Sequence, residues 1–233
     1  NQKLDAEFYR NQIKEIVKTA SDKHGFIDWH NMKYLIRALE SLVEKLESYK
    51  LSNNFQQAFF LSSVLLEEMT KAFDFADDSN GDIGYFVDTA LEALHDIVSS
   101  DNLDATLKKE IFEYCIQIYN KKLFSGWDWH LGILEVAEKL VESEKEVDVL
   151  ISCLQKTKDG YETEAAQVTI LNLLQKYKTP AEVHQFINKN ISNYRIREIE
   201  IKRAINDKNF EYAKKLCFDG IEVDKIDRPG IVI

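Results

Sequence analysis

Proline and glycine are scarce in this chain, at 2 and 8 of 233 residues. Turn-rich sandwiches and barrels use both to punctuate short strands, so their scarcity argues against an all-β fold and for long uninterrupted helices. Cysteine is scarcer than a disulfide framework needs. The three thiols, Cys115, Cys153 and Cys217, are widely spaced, form no C-x-x-C and are each flanked by apolar neighbours. That pattern predicts buried free thiols in a reducing compartment, the cytoplasm, and neither a zinc site nor a set of bridges. No apolar run approaches the roughly 18 residues of a membrane-spanning helix. Residues 1–10 are polar and charged, unlike a secretory leader. The start without Met and the apolar end Ile231-Val232-Ile233, after the turn Asp227-Arg228-Pro229-Gly230, lead us to expect a piece of a longer chain.

What the chain has is acid, unevenly placed. Residues 1–143 carry 15 basic and 25 acidic side chains, a net of −10, whereas the remainder carries 15 of each and is neutral. An acidic front half favours solubility and disfavours a nucleic-acid backbone as partner. Hydrophobic residues make up 45% and charged residues 30%, enough apolar surface to fold. The expected organisation is one α-helical repeat domain over 1–233, divisible into an acidic sub-array 1–143 and a neutral one 144–233.

Apolar residues recur at three-and-four spacing almost throughout. The reading predicts about eleven helices with short links, hence antiparallel neighbours. Asp28, either Asp101 or Asp104, and Asp128 are placed as N-caps, and Thr179-Pro180-Ala181-Glu182 has the form of a capping box with Pro at the first helical position. Later helices are expected over 147–154, 164–177, 180–190, 194–205 and 210–218.

Two internal echoes suggest repetition. Asn54-Phe55-Gln56-Gln57-Ala58-Phe59-Phe60-Leu61 and Asn209-Phe210-Glu211-Tyr212-Ala213-Lys214-Lys215-Leu216 both read N-F-x-x-A-x-x-L. That spacing puts the aromatic, the small residue and the Leu on one helical face, where the Ala lets a neighbouring helix come close. The second echo pairs Gly25-Phe26-Ile27-Asp28-Trp29-His30 with Gly126-Trp127-Asp128-Trp129-His130, each leading into an amphipathic helix. The fold expectation is therefore all-α: antiparallel helical hairpins stacked as a tetratricopeptide- or HEAT-like α-solenoid.

Several polar features could carry chemistry. Asp28, Trp29 and His30 could converge with Asp128, Trp129 and His130 on a metal or small-molecule pocket. The plainer reading makes each Asp a cap and each Trp a packing residue, and a helix N-terminus repels cations. Glu92 and His95 have di-iron spacing, but no second E-x-x-H accompanies them. Asp78, Asn80 and Asp82 begin like a calcium loop, yet Ile83 stands where Gly is needed and Thr89 where Glu is needed. Tyr194, Arg195, Arg197, Lys202 and Arg203 form the one basic cluster, interrupted by Glu198 and Glu200. Phosphate-binding glycine loops and nucleophile elbows are missing.

The N-F-x-x-A-x-x-L helix from Asn54, the loop Asp77-Asp78-Ser79-Asn80-Gly81-Asp82-Ile83-Gly84 and the run Lys208-Asn209-Phe210-Glu211-Tyr212-Ala213 together resemble the helical region downstream of SWIM-type zinc fingers in bacterial proteins, and tetratricopeptide-type repeats generally. The zinc finger itself, with its C-x-C and later C-x-H, has no counterpart here, so no zinc or DNA role follows. The resemblance implies a helical scaffold and names no site. The expected function is non-catalytic: a scaffold that binds an unidentified protein partner without cofactor or membrane, through the inner face of the helices and through Asp28, Trp29, His30, Asp128, Trp129, His130, Tyr194, Arg195 and Arg197. The alternatives are a metal- or small-molecule-binding helical enzyme using the two Asp-Trp-His corners, and a nucleic-acid-associated accessory domain using the basic cluster.

Overall fold

The computed structural model of the chain, which describes residues 5–127, 129–157 and 160–227, is all-α. Its helices are α1 Ala6–Ala20, α2 Trp29–Leu51, α3 Phe55–Ala72, α4 Asp82–Val98, α5 Ala105–Asn120, α6 Trp129–Glu138, α7 Glu144–Leu154, α8 Gly160–Tyr177, α9 Pro180–Lys189, α10 Tyr194–Asn206 and α11 Phe210–Asp227. The described residues contain no strand, only an isolated parallel bridge between Ile27 and Ala76. Within them no helix is long and apolar enough to cross a membrane. The chain divides into two compact units, Asn1–Val141 and Glu142–Ile233.

Short-range chemistry sets the helix starts. The Asp5, Asp28 and Asp104 carboxylates accept from the free N–H groups of Phe8 (3.1 Å), Asn31 (2.9 Å) and Leu107 (3.0 Å). Thr179 and Glu182 close a capping box on α9, and Ser143 with Glu146 closes a second on α7. The second box starts α7 at Glu144, three residues before the expected Val147. The expected cap Asp128 lies outside the described residues.

The N-F-x-x-A-x-x-L repeat marks a shared corner. In both copies the residue before the Asn is left-handed, Asn53 at φ 56° and Lys208 at φ 58°. In both, the Asn N–H then reaches back five residues, Asn54 to the Tyr49 carbonyl and Asn209 to that of Ala204, each at 2.8 Å. This is the Schellman closure of α2 and of α10, with the next helix starting immediately. Ala58, Leu61, Ala213 and Leu216 are buried as the spacing demands. The aromatic differs: Phe55 is half-buried, but Phe210 is 62% exposed.

In the first unit α3 is central. Its buried residues run all around it, and Ser62, Ser63 and Thr70 survive there by returning their hydroxyls to the carbonyls of Phe59, Phe60 and Leu66. Odd helices touch odd: α1 packs on α3, and α3 meets α5 through the edge-to-face pair Phe59–Tyr114 at 5.4 Å. Even helices touch even, α2 on α4 and α4 on α6. The last approach is close at Gly132, where a Cβ would come within 2.6 Å of Leu91.

The second unit is built on Leu171, Val183, Ile187 and Ile196, with α8 packed on α7, α9 and α10. Here α11 runs to Asp227, nine residues beyond the expected end at Phe218. The cause is tertiary. Gly220 sits against the buried Arg197 side chain, and Arg197 pairs with Asp224 one turn further on at 2.5 Å.

Cys115 and Cys153 are buried as expected, but Cys217 is exposed. Its apolar neighbours Leu216 and Phe218 misled, because adjacent helical residues point to different faces. Burial raises the thiol pKa of both Cys115 and Cys153. A thiol reagent added to the native protein should therefore label about one cysteine rapidly, and all three only in denaturant. Rapid labelling of two would contradict this packing.

Candidate functional site: a groove across three helices

A groove of about 570 Å³ in the first unit is lined from three helices, α1, α3 and α5. It exists because the odd helices lie side by side and because one cation braces them. Arg10 on α1 donates to Glu68 at 2.6 Å and pairs with Glu67 at 3.1 Å, both on α3. Burial works against the Arg10 charge, but the two glutamates outweigh it and hold its pKa above the ordinary value. Burial would also raise Glu68, but Lys71 and Arg10 overcome it and lower it instead. On the other wall the Tyr114 hydroxyl donates to the Ser63 carbonyl at 3.1 Å. Burial, then the neighbouring Glu67, push that phenol far up, so it stays a neutral donor.

The rest of the lining is aromatic and acidic. Phe59 is buried and Phe60 half-buried at the floor, while Glu110, Glu113 and Gln117 stand exposed on α5. Glu110 accepts from the neutral Gln56 amide at 3.3 Å, and Glu113 meets Lys109 only loosely, at 3.9 Å with both side chains exposed. The sequence reading missed the brace between Arg10 and the two glutamates. The signal was Glu67-Glu68 directly after the apolar run Val64-Leu65-Leu66, where half-buried carboxylates call for a cation.

The two tryptophan corners serve the link between α3 and α4. Gly25 and Gly126, the glycines of the echo, both adopt left-handed φ, 84° and 90°, which explains why the echo keeps them. From the first corner, Ile27 donates to Phe75 O at 2.9 Å and accepts from Asp77 N at 2.8 Å. From the second, Trp127 and Trp129 stack on Phe73, with centroids 4.2 and 5.6 Å away. Both corners thus fasten the same link. Trp29 is 62% exposed with the His30 ring 3.8 Å from it, Trp129 donates to Asp88 at 2.7 Å, and the His130 ring nitrogen meets the Trp127 carbonyl at 3.0 Å. Asp28 caps α2, and Asp128 lies outside the described residues.

The remaining candidates are engaged locally. Asp78 accepts from Ile83 N at 2.6 Å, and Asp77 takes the backbone and hydroxyl of Ser79. His95 is half-buried, and burial holds its pKa below the ordinary value. No group of three His, Cys, Asp or Glu that could hold a metal ion exists among the described residues. Tyr194 and Arg195 pair with each other, hydroxyl to Nε at 3.0 Å. Lys202 pairs with Glu198, and Arg203 with Glu200. Arg197 is withdrawn from any partner: it is 6% exposed, bound to Asp224 and to the carbonyls of Ile191 and Ser192. The basic cluster is consequently a set of intrahelical pairs around one buried brace. No family model, curated protein or solved structure matches this chain.

Proposed function

We propose that this chain is a non-catalytic helical-repeat scaffold of tetratricopeptide-like type that holds a protein segment in the groove of α1, α3 and α5. The observation that carries the reading is the groove itself. It is braced open by Arg10, Glu67 and Glu68, so a segment entering it meets a formed surface and spends little on ordering it. An exposed rim over an aromatic floor is the arrangement that lets a few anchors supply most of an interface's energy. The resemblance of three stretches to the SWIM-associated helical region points the same way, to a scaffold. The test is selection of binders from a displayed random-peptide library, followed by Gln117→Trp, which fills the groove from an exposed position. Binding should fall at least tenfold in that variant and persist in Trp29→Ala, which alters an exposed ring elsewhere. Binders that ignore Gln117→Trp would sink the groove reading.

A further inference from the structure

We propose that the occupant of the α1–α3–α5 groove is an extended basic segment of a partner protein, with Lys or Arg at alternate positions. This inference rests on the scaffold reading above and names the chemistry of what is bound. Three observations carry it. First, the lining holds one cation, Arg10, against three carboxylates, Glu67, Glu110 and Glu113. Second, that cation is spent. Arg10 is held by Glu67 and Glu68, so an anionic segment finds no uncommitted cation to meet and the two α5 carboxylates, Glu110 and Glu113, to repel it. Third, the α5 carboxylates face solvent and are weakly engaged, Glu110 by a neutral amide and Glu113 by an exposed lysine 3.9 Å away.

Geometry sets the spacing. Glu110 and Glu113 stand three apart on α5 and so share a face, with roughly 5–6 Å between their Cβ atoms. In an extended segment, side chains two apart project to one side about 6.6–6.8 Å apart. Basic-x-basic therefore matches the two carboxylates. The methylene stems of Lys or Arg can lie along Phe60 while their heads reach the rim, which covers the aromatic floor without burying a charge.

The probe is a fluorescein-labelled peptide of about twelve residues in which Lys alternates with Ser and Leu, followed by anisotropy, with a matched peptide carrying Glu for Lys. The basic peptide should bind, and the acidic one should not. Glu110→Gln with Glu113→Gln should weaken it roughly fivefold to tenfold, and added salt should weaken it further. A matched pair on the exposed face of α2, Glu40→Gln with Glu44→Gln, removes the same net charge and should leave affinity unchanged. Equal losses in the two double variants would mean attraction to net charge alone and would overturn the proposal. An acidic or uncharged peptide that binds as tightly, with loss on Gln117→Trp, would overturn the basic occupant and leave the groove standing. A basic peptide indifferent to both Gln117→Trp and the α5 variants would overturn occupant and groove together.

Discussion

Replacing Gly220 by alanine should speed amide exchange across α10 and α11 by roughly thirtyfold to a thousandfold, when the ordinary expectation for that change is the reverse. In an exposed helix interior, Gly→Ala gains about 1 kcal/mol from backbone entropy. At Gly220 the new Cβ would stand 2.4 Å from Arg197 Nε, 2.9 Å from its Cζ and 3.0 Å from its Cδ. Arg197 cannot step aside freely. Its guanidinium holds Asp224 at 2.5 Å and the carbonyls of Ile191 and Ser192 at 3.3 and 3.2 Å. Moving it strands a buried cation, and breaking such a pair costs about 3–5 kcal/mol. Offset by the helix gain, the net loss is about 2–4 kcal/mol. Arg197→Ala should destabilise too, and the double variant should lose less than the sum, because the smaller side chain no longer meets the new methyl. Additive losses, or slower exchange in Gly220→Ala, would show that the glycine is not there to admit the arginine.

This brace also marks where sequence reading stops. The caps Asp28 and Thr179 were legible because each acts on a group three residues away, and the same local rule narrowed the start of α5 to Asp101 or Asp104, of which Asp104 is the cap. The all-α class was legible for a similar reason, since three-and-four spacing is local and the breakers are few. The length of α11 was not: its expected end fell at Phe218, whereas the helix continues past Gly220, beside which lies the side chain of Arg197, 23 positions earlier. The groove was invisible for the same cause on a longer scale. Arg10 meets Glu68 across 58 positions, and nothing near either residue announces the other. The repeated N-F-x-x-A-x-x-L was half legible. It located two corners of one geometry, with Asn53 and Lys208 both left-handed, but not which aromatic would be covered. Coverage depends on neighbouring helices: Phe55 has α3's surroundings, whereas Phe210 opens onto solvent. The Asp-Trp-His corners show the opposite error. Their likeness invited a shared chemistry, and the likeness is largely that of a left-handed glycine before a helix.

Leu65→Ala should unfold the first unit at much lower urea while leaving the second unit's own transition in place. Leu65 is fully buried in α3, the helix that α1, α2 and α4 all pack against. A cavity enclosed on so many sides closes poorly, which places the cost near the upper part of the range for such changes, about 3–5 kcal/mol. Loss of a cap such as Asp28 costs about 1 kcal/mol by comparison, because water can replace the carboxylate at an exposed helix start. With a urea slope of about 1–3 kcal/mol per molar, the midpoint should fall by roughly 2 M. Tryptophan fluorescence reads this unit alone, since all three tryptophans, Trp29, Trp127 and Trp129, lie before Val141. Two of them stack on Phe73 at the end of α3, so loss of that helix must change their emission. The second unit is followed in the same samples by the reactivity of buried Cys153, which lies beyond Glu142. A midpoint shift worth less than about 1 kcal/mol would mean that neighbouring helices close over the gap, and α3 would then be one wall among several and not the axis on which the unit is built.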